Sequence, residues 1–235
     1  MKKHIPNLFT LLNNSGGWLA IYFSFNEEFV FACYCILFSA VFDFLDGFLA
    51  KTLKVQSEIG AQLDSLADMV TFGLAPSFLA LNIALDYQSR FEFYMLLLLL
   101  IPINSSIRLA RFNIQETSVN NDFIGLPTPA NALFIVSISF LFSNYLTYLS
   151  IPNITLLYVL GLSLISFLMV SRICFMSFKL KNMTISENKH LFVFLFFSLI
   201  TIIILLLMLK YYFILPIILL LYFVISIIKN SKNEV

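Results

Sequence analysis

Residues 42–68 read Phe42-Asp43-Phe44-Leu45-Asp46-Gly47-Phe48-Leu49-Ala50-Lys51 and, after eight intervening residues, Gly60-Ala61-Gln62-Leu63-Asp64-Ser65-Leu66-Ala67-Asp68. An apolar run ends in two acids, and the next apolar run begins with two more. At about 100° per residue, Asp43, Asp46, Gly47 and Ala50 share one face of a helix, while Gly60, Asp64 and Asp68 recur at every fourth position of the next. A hairpin between the two segments brings the faces together. Four carboxylates then converge at one end of two adjacent helices.

Working outward, the chain has 235 residues, 60% of them hydrophobic, with 27 Phe and only 11% charged. A soluble domain of this length cannot bury that much apolar surface. Apolar runs near the roughly 20 residues that cross a bilayer core make lipid the missing partner. The expected spans are 8–24, 30–50, 64–84, 93–112, 128–146, 154–172, 190–209 and 212–228. All are expected to be helices, since an open sheet leaves backbone groups unpaired in lipid. The expected fold is thus an all-α membrane bundle of about eight transmembrane helices. No internal repeat or low-complexity linker interrupts it, so 1–235 is read as a single domain, with 190–228 accessory to the motif at 43–68.

Charge placement sets the orientation. With the N-terminus inside, Lys2, Lys3, Lys51, Lys54, Arg108, Arg111, Arg172, Lys179, Lys181, Lys189, Lys229 and Lys232 lie on one side, leaving Arg90 and Lys210 outside. That asymmetry is the positive-inside pattern, and it places both termini in the cytoplasm, with the inner membrane of the cell as the expected location. The longer polar segments, 51–63, 113–127 and 173–189, fall on the same side, so function is expected there. A net charge of +1 gives no basic surface for nucleic acid. The N-terminal apolar stretch is broken by Asn13, Asn14, Ser15, Gly16 and Gly17 and reads as a span rather than a cleaved signal. Cys33, Cys35 and Cys174 lack metal-ligand spacing and read as small apolar fillers.

Carboxylates at a membrane boundary are costly unless paired or bound to metal. Only Lys51 and Lys54 are near in sequence, too few for four acids. An all-oxygen set without His or Cys suits Mg²⁺, Mn²⁺ or Ca²⁺. Gly47 and Ala50 leave room on the same face for a phosphate or ribose. The combination fits metal-assisted phosphoryl-type transfer. A cation transporter is the competing class, but it distributes acids along the membrane depth, whereas residues 128–228 contain only Glu187.

The pattern Asp43-x₂-Asp46-Gly47-x₂-Ala50-Lys51-x₈-Gly60-x₃-Asp64-x₃-Asp68 closely resembles the signature of the CDP-alcohol phosphatidyltransferases. Lys51 stands where that signature has Arg, which keeps the charge and loses the bidentate fork. The resemblance implies that Asp43, Asp46 and Asp64 are metal ligands with Asp68 completing the set. It also implies that Asp68 is the general base, and that Gly47, Ala50 and Lys51 receive the nucleotide and its phosphates. The implied reaction is attack of an alcohol on the β-phosphorus of CDP-diacylglycerol with release of CMP, and the implied assembly is a homodimer.

Further stretches resemble the phosphatidylserine synthase branch: Ile5-Pro6-Asn7-Leu8-Phe9-Thr10-Leu11-Leu12-Asn13; Asp64 through Pro76; Arg108-Leu109-Ala110-Arg111-Phe112-Asn113; Phe123-Ile124-Gly125-Leu126-Pro127-Thr128-Pro129-Ala130; and Val170-Ser171-Arg172 with Ser177-Phe178-Lys179. L-serine is therefore the implied acceptor, with glycerol 3-phosphate or inositol phosphate as alternatives. Arg108 and Arg111 form a cationic face that suits a carboxylate or a phosphate equally, or snorkels as a membrane anchor. Asn7 and Thr10, one turn apart, are candidate nucleotide contacts or a polar helix start. Gly125 to Pro129 reads as a rigid turn into the fifth span or a substrate wall. His4 and His190 read as interfacial, Trp18 has no assigned role, and the last two spans contribute hydrophobicity alone.

Overall fold

The computed structural model describes residues 4–55, 57–115, 123–144, 153–175, 193–195, 197–202 and 213–233. The first helix, α1, runs Ile5–Phe25, with Pro6 in its first turn, where no backbone donor is lost. A tight turn with Glu27 at φ 63° leads to α2, Phe29–Thr52. After a short link, α3 covers Glu58–Gln88 and α4 covers Phe93–Ile114. Then come α5 (Thr128–Asn144), α6 (Ile154–Ser166) and α7 (Ile214–Asn233). Among the described residues, α2, α3 and α4 are long and apolar enough to cross a membrane, and α5, α6, Val193–Ile202 and Ile214–Ser226 form shorter apolar helices. The helix α1 is 21 residues long, but Asn13 to Gly17 dilute its hydropathy.

Among the described residues the helices overlap the expected spans, parts of those expected at 128–146, 190–209 and 212–228 lying outside them, and near the motif the boundaries differ. The expected polar loop 51–63 is mostly helix, since α2 runs to Thr52 and α3 starts at Glu58. Ser57 explains the early start. Its backbone is extended (φ −143°, ψ 150°) and its Oγ accepts from the Gly60 N–H at 3.1 Å. Such a cap contributes about 0.5–2 kcal/mol, and Glu58 in the first turn adds a favourable charge at the positive end of the dipole. The first turns of α3 therefore belong to the helix that carries Asp64 and Asp68.

The helix α3 is not uniform. An α segment Glu58–Asp68 gives way to a π segment, Met69–Leu74, before α geometry resumes at Ala75–Gln88. Pro76 has no N–H, and its ring crowds the carbonyl one turn back, so a widened turn just before it relieves both problems. In α4 the segment Phe93–Leu99 is a 3-10 helix that becomes α at Leu100, ahead of Pro102.

Packing between helices relies on small residues, as expected where lipid tails remove the hydrophobic drive for association. A Cβ on Gly17 would lie 2.8 Å from the Thr71 Cα and 3.1 Å from its Cβ. Gly16 faces Ser39 of α2 equally closely, and a Cβ on Gly73 would lie 3.1 Å from the Ser105 Oγ. Around these contacts Ile36, Phe72, Leu79, Ile101, Ile135 and Leu162 are fully buried. Outward-facing Leu8, Leu12, Trp18, Phe31, Phe38 and Phe44 are exposed along α1 and α2, the surface that acyl chains cover. Beyond the helices, Phe123–Ile124 pairs antiparallel with Cys174–Phe175. Gly125, at φ 82°, donates its N–H to the Ile173 carbonyl at 2.9 Å, and the Leu126 N–H donates to the Leu168 carbonyl at 2.9 Å. The turn into α5 is thus clasped to the segment after α6.

Candidate active site

The ends of α2 and α3 bring Asp43, Asp64 and Asp68 together, with one oxygen from each within 4.8 Å of the others. The i, i+4 spacing puts Asp64 and Asp68 on one face of α3, and Asp43 projects from the facing turn of α2. Asp43 and Asp68 come within hydrogen-bonding reach of each other. Carboxylates this close repel unless a proton or a cation lies between them. Asp68 is 8% exposed and Asp46 5% exposed, so water screens neither well. The donor set is all oxygen, which fits a hard divalent cation. The acids occupy two adjacent helices at one end and are not strung along the membrane depth.

Asp46, one turn beyond Asp43, stands outside the trio. Its Oδ2 accepts from the Thr10 Oγ1 at 2.7 Å. Thr10 is only 3% exposed, and its hydroxyl also lies 3.2 Å from the Pro6 carbonyl. One turn further along α1, Asn13 is fully buried and its Nδ2 donates to the Asp68 Oδ1 at 3.4 Å. The Thr71 hydroxyl, in the π segment, donates to the Asn13 carbonyl at 2.9 Å. Asn7 is half-buried, and its Oδ1 lies 3.3 Å from where a Cβ on Gly60 would be. Asn7, Thr10, Asn13 and Gly17 thus form a small and polar ridge of α1 laid against both acidic helices.

On the open side, Gly47 is exposed, and a Cβ added there would meet nothing within 4 Å. Ala50 is half-buried and Lys51 is exposed, so the face beside Asp43 and Asp46 is unobstructed.

Arg108 and Arg111 diverge in their surroundings. Arg108 is 8% exposed, which rules out the snorkelling anchor; one guanidinium N–H donates to the Thr128 Oγ1 at 2.9 Å, and the group lies 5.7 Å from the Phe112 ring centroid. Asp43, Asp68 and the Tyr222 hydroxyl lie within its electrostatic reach. Arg111 is exposed and donates to the Val170 carbonyl at 3.1 Å. The Gly125 to Pro129 turn therefore does more than start a helix, because it delivers Thr128 to Arg108. His4 is exposed at the start of α1, Trp18 stacks on Tyr22 at 6.0 Å, and Cys33 and Cys35 are free thiols among apolar neighbours. His190, Ser177, Phe178 and Lys179 lie outside the described residues.

Two residues near the site escape the sequence. Asn13 reads there as an interruption of an apolar run, yet it faces Asp68. Tyr222 lies in a helix that reads as hydrophobic filler, yet it is buried, packs 6.1 Å from the Phe175 ring, and approaches Arg108. The spacing of Asn7, Thr10 and Asn13 on one helical face was the available signal for the first. Nothing in the sequence singles out Tyr222 among the ten tyrosines.

Comparison with known proteins identifies the family. Residues 3–165 match the CDP-alcohol phosphatidyltransferase family. A CDP-diacylglycerol–serine O-phosphatidyltransferase of Helicobacter pylori is 36% identical over 200 residues, covering 84% of this chain and 81% of that protein. The enzyme of the same name from Bacillus subtilis is 36% identical over 178 residues, 75% of this chain and 92% of its own length. An archaetidylserine synthase of Methanothermobacter thermautotrophicus is 36% identical over 137 residues, 57% of this chain and 56% of its own. The acid-bearing helix pair, the small residues between helices and these likenesses lead to one assignment: the chain belongs to the CDP-alcohol phosphatidyltransferase family.

Proposed function

We propose that this protein transfers the phosphatidyl group of CDP-diacylglycerol to L-serine, giving phosphatidylserine and CMP. The observation that carries the reading is the cluster of Asp43, Asp64 and Asp68 within 4.8 Å, set beside the open face at Gly47. Asp43, Asp64 and Asp68, with Asp46 as the fourth acid, would hold a divalent metal, Mg²⁺ or Mn²⁺ being the best matches and Ca²⁺ the next. Such a metal neutralises phosphate oxygens and stabilises charge that builds up during displacement.

The chain's own residues supply the rest. Gly47 and Ala50 let the cytidine nucleotide approach α2 closely, Lys51 meets its phosphates, and Asn7 borders the same mouth. The seryl hydroxyl attacks the β-phosphorus, its proton passes to Asp68, and the bond to the departing CMP oxygen breaks. Arg108, aided by the exposed Arg111, holds the serine carboxylate, and Thr128 fixes the plane of the Arg108 guanidinium. Phosphatidyl is delivered at the inner leaflet, with both termini and the site on the cytoplasmic side of the cell membrane, eight spans in all and a homodimer as the working unit.

The test uses detergent-purified protein, CDP-diacylglycerol and labelled acceptors. Serine-dependent release of CMP with labelled phosphatidylserine is expected. Release driven by glycerol 3-phosphate or inositol phosphate, with serine inert, would move the chain to another branch of the family. Cation uptake by reconstituted vesicles without CMP formation would remove the chemistry altogether.

A further inference from the structure

The helix α1 contributes no acid to the cluster, yet it touches the acids of both helices. Thr10 and Asn13 are one turn apart on it, and each meets a different carboxylate: Thr10 the Asp46 Oδ2 at 2.7 Å, Asn13 the Asp68 Oδ1 at 3.4 Å. Both side chains are buried, at 3% and 0% exposure, and what each meets is a carboxylate. The Asn13 Oδ1 has no hydrogen-bond partner among the described residues. Burying that acceptor unpaired costs about 1–3 kcal/mol, an expense that an apolar residue of the same size would avoid. The carboxamide is oriented by its contact, because turning it over would set an oxygen against the Asp68 carboxylate.

The ridge is also fixed in place. Thr71 donates to the Asn13 carbonyl from the π segment that begins just after Asp68, and Gly17 lets the two backbones close to this distance. Carboxylates that ligate metal are generally held by hydrogen bonds on their other oxygen, and losing that support typically costs about 10–100-fold in metal affinity or activity.

We propose that Thr10 and Asn13 are positioning residues of the carboxylate site, Asn13 holding one oxygen of Asp68 within the trio and Thr10 one oxygen of Asp46 beside it. This rests on the metal-dependent reading above. It gives Thr10 a task other than the nucleotide contact expected from its place in the sequence.

The test measures Mn²⁺ binding to purified protein without substrate, from the loss of the free-ion electron paramagnetic resonance signal, alongside turnover. Thr10→Val and Asn13→Leu keep the side-chain volume nearly unchanged and remove the donor. Each is expected to weaken Mn²⁺ binding about 10–100-fold and lower kcat by a similar factor, with KM for CDP-diacylglycerol little changed. Thr10→Ser, which keeps the hydroxyl, is expected to recover most of what Thr10→Val loses. Where either apolar variant fails to purify, Thr10→Ala and Asn13→Ala serve the same comparison. Wild-type Mn²⁺ affinity in the donor-less variants would overturn the inference, as would a raised KM for CDP-diacylglycerol with unchanged metal binding. Wild-type protein that binds no Mn²⁺ and turns over without divalent cations would instead bring down the metal reading beneath it.

Discussion

Gly47→Ala separates a catalytic glycine from a packing glycine. A Cβ at position 47 meets nothing within 4 Å, and the residue lies inside α2, where φ is helical. The steric cost in the folded protein is therefore close to zero. What remains is helix propensity, which favours Ala over Gly by about 0.8–1.0 kcal/mol in a helix interior. In a chain of this size that amounts to a rise of roughly 2–4 °C in Tm. Gly161, inside α6, also meets nothing within 4 Å and serves as the control. Gly161→Ala is expected to gain similar stability and leave activity alone. On the proposed reading, Gly47→Ala puts a methyl on the face that would receive the nucleotide. A misfit of that size costs about 1–3 kcal/mol, which corresponds to roughly 5- to 150-fold in kcat/KM, mostly as a higher KM for CDP-diacylglycerol. Thermal unfolding by intrinsic fluorescence and a CMP-release assay on both variants decide the matter. Equal kinetics in Gly47→Ala and wild type would refute a nucleotide face at Gly47.

Further variants probe the other roles. Asp68→Asn is expected to abolish turnover while CDP-diacylglycerol still binds, measured by lipid-nucleotide titration; retained turnover would take Asp68 out of the base role. Chelation with EDTA is expected to stop the reaction and added Mg²⁺ or Mn²⁺ to restore it, whereas Asp64→Ala should need far more metal or stay inactive, as a metal titration of rate would show. Arg108→Lys keeps the charge and loses the paired N–H groups, so KM for serine is expected to rise about tenfold or more, with KM for CDP-diacylglycerol near its original value. An unchanged serine KM would place the carboxylate elsewhere.

Much of this architecture is legible before any coordinates. Hydrophobic run length locates the helices because a bilayer has a fixed thickness, and the helical period places Asp43 on the face that meets Asp64 and Asp68. The boundaries of the first hairpin are not legible in the same way. Polar residues 51–63 look like a loop, but Ser57 caps a helix there, and a cap is a local hydrogen bond that hydropathy does not register. The π segment is hidden for a related reason, since it reflects the conflict between Pro76 and a continuous helix. Thr10 and Asn13 are plain in the sequence as residues, but their partners lie 36 and 55 positions away. No periodicity within α1 announces which helices will face it. Arg108 is similar: its burial depends on Thr128 and on the clasp that carries Thr128 in, both from later in the chain.

The acids and the ridge that supports them all lie within the first 68 residues, whereas Arg108, Thr128 and Tyr222 follow later. Chains emerge from the ribosome N-terminus first, at about 5–20 residues per second, so α1, α2 and the start of α3 meet before any arginine of the mature site exists. Until then the nascent hairpin holds its negative charge with Thr10, Asn13, Lys51 and Lys54 for company. If the cluster takes the divalent metal proposed for it, the whole ligand set is on hand before the later helices are made, so scarcity of the cation would fall on newly made protein as well as on turnover.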